Sequence, residues 1–151
     1  MREVVKREFD SQVVEIKRVT RVVAGGKRMR FRALVVIGNR SGKVGIGLKK
    51  GADVADAVAK ATAEARKSLI DVVLVKGTIP HIVKVKYKAS RVILKPAKPG
   101  TGIIAGGPIR SVLNMVGVKD ITSKMMGSAN KISNVRATYE ALKNLKVRGQ
   151  E

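Results

Sequence analysis

Residues 18–38 read RVTRVVAGGKRMRFRALVVIG, and their order decides the fold of the first half of the chain. Ala24-Gly25-Gly26-Lys27 is a turn signal, because two adjacent glycines accept positive φ without a steric penalty. Beyond the turn, Phe31, Ala33, Val35 and Ile37 alternate towards a core while Arg28, Arg30 and Arg32 take the other face. Before it, Gln12 to Val23 is strand-like, with Val14 and Ile16 in one phase and Val19, Arg21 and Val23 in the other. That phase slip predicts a β-bulge near Lys17-Arg18. The whole is a β-hairpin whose distal part is basic.

Working outward, Gly38 to Gly42 is a second turn, and Val44, Ile46 and Leu48 form a third short strand. Val54, Val58, Ala61, Ala65 and Leu69 then recur at helical spacing, with Asp53 placed to cap and Asp56–Lys60 and Thr62–Arg66 on the outer side. Three antiparallel strands packed by one helix make an α+β unit. After Asp71 the pattern restarts. Val72 to Val75 reads as a buried strand, Lys76-Gly77-Thr78 as a turn, and Pro80 as a break. Val83, Val85 and Tyr87 alternate with Lys84, Lys86 and Lys88, and Ala89-Ser90 turns into a strand over Arg91 to Lys95. A Pro/Gly-rich stretch from Pro96 to Gly107 precedes a helix opened by Pro108, with Ile109, Val112, Leu113 and Val116 on one face. Asp120 to Met126 reads as a short helix stopped by Gly127. Ser133 or Asn134 opens a last helix on Val135, Tyr139, Leu142 and Leu145. The expected organisation is therefore two small α+β domains, 9–72 and 77–147, behind a charged arm from Met1 to Glu8.

The charge of these segments names the kind of partner. The 151 residues carry 32 Lys and Arg against 11 Asp and Glu, a formal net charge of +21, yet 44% are apolar, enough for a folded core. No acid lies between Glu15 and Asp53, a stretch holding Lys17, Arg18, Arg21, Lys27, Arg28, Arg30, Arg32, Arg40, Lys43, Lys49 and Lys50. A second acid-free stretch runs from Val72 to Lys119. A merely solvated surface intersperses both signs, so the expected partner is a polyanion. The bases sit in strands and loops rather than along an amphipathic helix, and Trp is absent, which excludes a membrane surface in favour of nucleic acid. Phe9, Phe31, Tyr87 and Tyr139 are the only aromatics, too few for a base-stacking platform. What remains is recognition of sugar–phosphate and folded shape.

The same inventory excludes most chemistry. Cys is absent and His81 is the only histidine, so thiol catalysis, a His-based triad and a multi-His metal site are ruled out. His81, after Pro80, reads as a turn or packing residue. No cofactor and no metal are expected. No apolar run is long enough to cross a membrane, and the expected location is the cytosol. Gly45, Gly47 and Gly51 lie within a strand and lack the dinucleotide spacing. The Gly100–Gly107 loop could cradle phosphate at a helix start, but beyond Gly77 only Asp120, Glu140 and Glu151 exist to hold a nucleotide's metal. The candidate RNA-binding set is Arg18, Thr20, Arg21, Gly25, Gly26, Lys27, Arg28, Arg30, Arg32, Arg40 and Lys43, with Lys49 and Lys50 at a helix start whose dipole favours phosphate. A free RNA chaperone or non-specific nucleic-acid-binding protein, and a phosphotransferase, are the rival readings.

Thr20 to Phe31 with its Gly25-Gly26 tip, Ala33 to Gly38, Lys43-Val44-Gly45-Ile46-Gly47, Gly77-Thr78-Ile79-Pro80-His81, Gly100 to Gly107, and Asn134-Val135-Arg136-Ala137-Thr138 occur in one order. Together they resemble the bacterial small-subunit ribosomal protein S-five family over roughly Phe9 to Leu145. The resemblance implies a first domain like a double-stranded-RNA-binding domain lacking its first helix. It implies a second domain with a left-handed β-α-β arrangement shared with some small-molecule kinases. It further implies small-subunit rRNA as partner where head meets body, beside the path by which mRNA enters, with proteins S-four and S-eight as neighbours and a part in decoding accuracy. By position, Thr20 to Lys27 resembles the loop whose changes give spectinomycin resistance. Gly100, Thr101, Gly102, Gly106, Gly107 and Arg110 fall in the segment that faces S-four. One departure is Asn130-Lys131-Ile132-Ser133, where the family usually has a proline-containing turn.

Overall fold

A computed structural model describes residues 9–146; the expected arm, Met1 to Glu8, and the last residue of the expected second domain lie outside them. The order of elements is β1 (Asp10–Val23), β2 (Gly26–Gly38), β3 (Lys43–Gly51), α1 (Val54–Lys67), β4 (Ile70–Asp71), β5 (Val83–Tyr87), β6 (Ser90–Pro96), β7 (Ile103–Ile104), α2 (Gly107–Val116), β8 (Ile121–Met126) and α3 (Lys131–Lys143). Two sheets form, ordered β1-β2-β3-β4 and β5-β6-β8-β7. All pairings are antiparallel except β7 with β8, which run parallel on either side of α2 as a β-α-β unit.

The first sheet is closed on one side by α1. Its buried stripe is Ala57, Ala61 and Ala65, against Ala33, Val35 and Ile37 of β2. The stripe can approach β3 closely because Gly45, Gly47 and Gly51 face it: a Cβ on Gly47 would collide with the Ala61 carbonyl oxygen, and one on Gly45 with that of Ala65. These glycines serve helix–sheet contact. The stripe differs from the expected one at its start, since Val54 is exposed and Ala57 is buried. Alanines suffice where the facing strand carries no side chains.

The opposite face of β2 is the main departure from simple alternation. Beyond Arg32 it carries Leu34 and Val36, both fully buried with Val44 and Ile46 against Ile109, Val112 and Leu113 of α2 and against Val92, Leu94 and Ile121 of the second sheet. The continuous run Ala33 to Ile37 is thus apolar because both its faces are sealed. The layers are α1, first sheet, α2 with α3, and second sheet, and one core runs through the helical layer between the sheets. Backbone hydrogen bonds stitch the halves. Arg40 N–H donates to Met115 O (2.9 Å) and Gly42 N–H to Val116 O (2.9 Å). The Tyr139 hydroxyl of α3 donates to Ser68 O at the end of α1 (2.7 Å).

Several local expectations are corrected. The first sheet has a fourth strand, β4, which stops at Asp71, and the expected strand over Val72 to Val75 does not form: the Val72 N–H turns away to Gly42 O (2.6 Å), and Val75 makes only an isolated bridge with Thr78. Asp120 to Met126 is not a helix. Ile121 to Met126 is β8, paired along β6, because Ile121, Ser123 and Met125 face the helices in period two. Asp120 accepts from Gly100 N–H (3.1 Å) and Gly102 N–H (3.0 Å). The bulge lies at Val14, where Val13 faces Val35 and Glu15 faces Leu34, and not at Lys17-Arg18. The last helix opens at Lys131, two or three residues earlier than the expected Ser133 or Asn134, because Asn130 Oδ1 accepts from Ile132 N–H (3.0 Å).

Candidate nucleic-acid interface

The hairpin β1–β2 pairs without a break from Glu15↔Leu34 to Val23↔Gly26, closed by a two-residue turn over Ala24-Gly25 with Gly26 at φ 136°. Residues directly opposite in antiparallel strands share a face. Arg28, Arg30 and Arg32 therefore lie on one face with Lys17 opposite Arg32, and β3 adds Lys50 on the other side of Arg32. Lys17, Arg32 and Lys50 form one row of cations across three strands. Arg21 is opposite Arg28 in register. Arg18, Thr20, Lys27 and Met29 belong to the reverse face, where Arg18 Nε lies 3.0 Å from Met29 Sδ.

From Gly26 to Arg30 every residue of β2 is exposed, and Met29 and Val22 are open to solvent at 48% and 77%. Like charges set side by side on a sheet repel. Among the described residues the ribbon's one ion pair is Lys17 with Glu15 (3.2 Å); Lys27, Arg28, Arg30 and Arg32 have no carboxylate within 4.0 Å. Such an array is stabilised by an external anion, and the bare turn at Gly25, with nothing within 4 Å of a would-be Cβ, lets a backbone approach.

The remaining candidates are placed elsewhere. Arg40 and Lys43 sit at the opposite end of the strands, about 20 Å from Arg32 along β2 at the usual strand rise. Arg40 Nε is paired with Asp10 (2.9 Å). Lys49, opposite Ala33 on the α1 side, is paired with Glu64 (3.2 Å). The start of α1 is occupied by its own acids: Asp53 Oδ1 accepts from Asp56 N–H (2.7 Å) and Asp56 Oδ2 from Ala52 N–H (3.1 Å). The Ala52 N–H, and then the Lys60 ammonium, hold the Asp56 carboxyl below the usual carboxylate range. The phosphate expected beside Lys49-Lys50 at that helix start would meet these two carboxylates; Lys50 belongs instead to the ribbon row.

The glycine loop is likewise self-satisfied. Asp120, buried, takes the Gly100 and Gly102 N–H groups that would face a phosphate, and Thr101 Oγ1 donates to Lys98 O (2.7 Å). Gly106 caps α2 without a side chain, Gly107 opens it, and Arg110 projects from its first turn, exposed. Composition alone gave Asp120 no role; its value as the loop's anchor emerges only once β8 is a strand beside β7. Among the described residues no group of three or more His, Asp or Glu side chains could hold a metal ion, and no helix is long and apolar enough to cross a membrane.

Fold and charge together define the class as a basic two-part α+β protein with a cation-studded β-ribbon. The chain belongs to the ribosomal protein S5 family. Residues 9–73 match the N-terminal domain of ribosomal protein S5 and residues 85–149 its C-terminal domain. Among curated relatives, small ribosomal subunit protein uS5 of Thermotoga neapolitana is 46% identical over 145 residues, 96% of this chain and 82% of that protein. Small ribosomal subunit protein uS5 of Campylobacter jejuni is 50% identical over 141 residues, 93% of this chain and 96% of that protein.

Proposed function

We propose that this chain is a structural constituent of the small ribosomal subunit, bound to rRNA through sugar–phosphate and shape contacts along the β1–β2 ribbon at the junction of head and body. In this reading it works in the cytoplasm, neighbours proteins S-four and S-eight beside the path by which mRNA enters, and influences translational accuracy. The Gly100–Arg110 segment is the side turned to S-four. In this reading the two domains run over 9–72 and 77–147. The observation that carries the proposal is the ribbon: Lys27, Arg28 and Arg30 exposed, with no carboxylate partner among the described residues, on strands whose other half anchors the core. Family membership and the names of the relatives supply the nature of the polyanion.

The test is the salt dependence of binding to small-subunit rRNA. About 8 phosphate contacts give a log–log slope of roughly −6 to −7. Arg28→Gln with Arg30→Gln is expected to flatten the slope by about 2 and leave thermal unfolding unchanged. An unchanged slope removes the ribbon from the interface. Equal affinity of the wild-type chain for arbitrary duplex DNA would favour a non-specific nucleic-acid-binding protein instead.

A further inference from the structure

Asp120 is the first acid after the long acid-free stretch of the second half, and three segments meet at it. It is buried, and among the described residues it has no cation within ion-pair distance. A buried carboxylate without a cation persists where N–H donors stabilise it. Two do so here, Gly100 N–H at 3.1 Å and Gly102 N–H at 3.0 Å, both on Oδ1. The backbone beside it is fixed as well. Asp120 N–H donates to Gly77 O (3.2 Å), as does Lys119 N–H (2.8 Å), and Ile121 N–H donates to Gly102 O (3.0 Å). The turn at Gly77, the start of β8 and the glycine loop are thus joined through one residue and its neighbours. Thr78 Oγ1 adds a further tie by accepting from Ala97 N–H (3.3 Å).

The loop needs such ties because little else holds it. Gly100 and Gly102 take φ +91° and +77°, and no heavy atom lies within 4 Å of a would-be Cβ on either. Glycine is free to leave that region of backbone space at little cost. Gly100 and Thr101 are exposed, and β7 pairs with β8 over only two residues. The segment also differs in chemistry from the rest of the chain. Residues 99–109 carry no Lys, Arg, Asp or Glu although 28% of the chain is charged, and Ile104 is 53% exposed. Such a stretch has no cation for phosphate and suits a protein neighbour, met through backbone shape and an apolar side chain. A contact of that kind is made in one conformation. A loop that spends part of its time elsewhere binds more weakly by the fraction lost.

We infer that Asp120 is a positioning residue for the protein-facing contact of the glycine loop. Its Oδ1 holds the Gly100 and Gly102 amides and keeps the loop in the conformation that a neighbouring protein meets, while the carboxylate itself lies buried behind that surface. Translational accuracy then depends on a hydrogen-bond acceptor that takes no part in the contact. This rests on the reading above, in which Gly100–Arg110 is turned to S-four, and adds to it the residue that sets the loop's shape.

The experiment compares wild type, Asp120→Ala and Asp120→Asn as full chains, first free and then in small subunits assembled with the other ribosomal proteins. In the free chain, Asp120→Ala should speed hydrogen exchange at the Gly100 and Gly102 amides by on the order of 10-fold or more. In subunits of equal occupancy it should raise misreading of near-cognate codons several-fold, with the salt slope for rRNA unchanged. Asp120→Asn keeps Oδ1 as an acceptor and should return both readouts close to wild type. Should the Ala chain fail to enter subunits, Asp120→Ser, polar but one bond shorter, is read in the same two assays and should behave as described for Ala. Ile104→Asp, which alters the exposed surface directly, serves as the control for the underlying reading and should raise misreading by itself. Wild-type misreading in Asp120→Ala or Asp120→Ser, with Ile104→Asp active, overturns this inference and leaves the S-four reading standing. Unchanged amide exchange, equal effects of Ala and Asn, or an altered rRNA slope overturns it as well. Wild-type misreading in Ile104→Asp too removes the S-four reading, and this inference with it.

Discussion

Strand β2 has two halves with opposite fates. From Gly26 to Arg30 it is exposed at every position, and from Ala33 to Gly38 it is buried at every position, with Arg32 half-buried between them. One sheet face passes from Arg28, Arg30 and Arg32 to Leu34 and Val36 within two residues. The distal half has little apolar area to bury, so its order comes from the ladder with β1 and from the rigid proximal half to which it is continuous. The proximal half has no charge to offer a partner, and its stability derives from being enclosed by α1 on one side and α2 on the other. A stiff base lets a ribbon present cations at fixed spacing, and that spacing is what shape recognition of a phosphate backbone requires.

The comparison is broken most sharply by adding one methyl group at each end. Gly117 ends α2 at φ +94°, and a Cβ there would collide with the Arg40 carbonyl oxygen, which belongs to the loop after β2. Neither backbone can withdraw without breaking the Arg40–Met115 and Gly42–Val116 hydrogen bonds. Gly117→Ala is expected to destabilise by about 4 kcal/mol or more, measured by urea unfolding, because strain and lost interdomain bonds combine. Gly25→Ala at the ribbon tip, where nothing lies within 4 Å, should change stability by less than about 0.5 kcal/mol. Equal effects of the two would mean that the base is as loose as the tip.

A smaller change tests whether the halves of the molecule are coupled. Tyr139 reaches from α3 to Ser68 O across 71 residues of sequence. Tyr139→Phe removes that bond and leaves a carbonyl short of a donor, a loss of about 1 kcal/mol. Burial, and then the Glu140 carboxylate, raise the phenol above its ordinary pKa of 10.0. The sign follows: with the folded value raised, the contribution is complete below pH 10.0 and is lost as pH rises through the folded value. Alkaline unfolding of Tyr139→Phe should be less steep than that of wild type, with ribbon-mediated rRNA binding at neutral pH unchanged. A steeper alkaline profile would contradict the burial of this hydroxyl.

What was legible in the sequence divides along the same line. β2, β3, β5 and β6 alternate strongly enough to be read directly, and α2 shows a full apolar stripe opened by Pro108. The ribbon was legible from charge, because runs without acids have no fold-stabilising explanation. β8 was not legible. ITSKMM is short, carries only Ile and Thr as β-branched residues, and owes its strand state to β6, 30 residues away. The double burial of Leu34 and Val36 was also hidden, since alternation assigns one face to a core and says nothing of a second layer. Nor could the role of Asp120 be seen until pairing put β8 beside β7. Pairing of Lys49 with Glu64 and of Arg40 with Asp10 removed two cations from a set that composition treats as equivalent.

That last distinction yields the smallest effect. Asp56 belongs to the cations' internal counter-charges: it accepts from Ala52 N–H, faces Lys60 at 3.2 Å, and sits in the first turn of α1, where the helix dipole favours an anion. Its lowered pKa means that its contribution is present above the ordinary value of 3.8 and disappears as pH falls through the folded value. Asp56→Asn should therefore shift the acid unfolding midpoint slightly upward in pH relative to wild type at low salt, and the difference should shrink as salt screens the site. Affinity for rRNA should not change, since the ribbon lies at the other end of the comparison. A rise would show that cations around α1, once released from their carboxylates, are drawn into the same phosphate surface, and that the boundary between paired and unpaired charge is where binding is tuned.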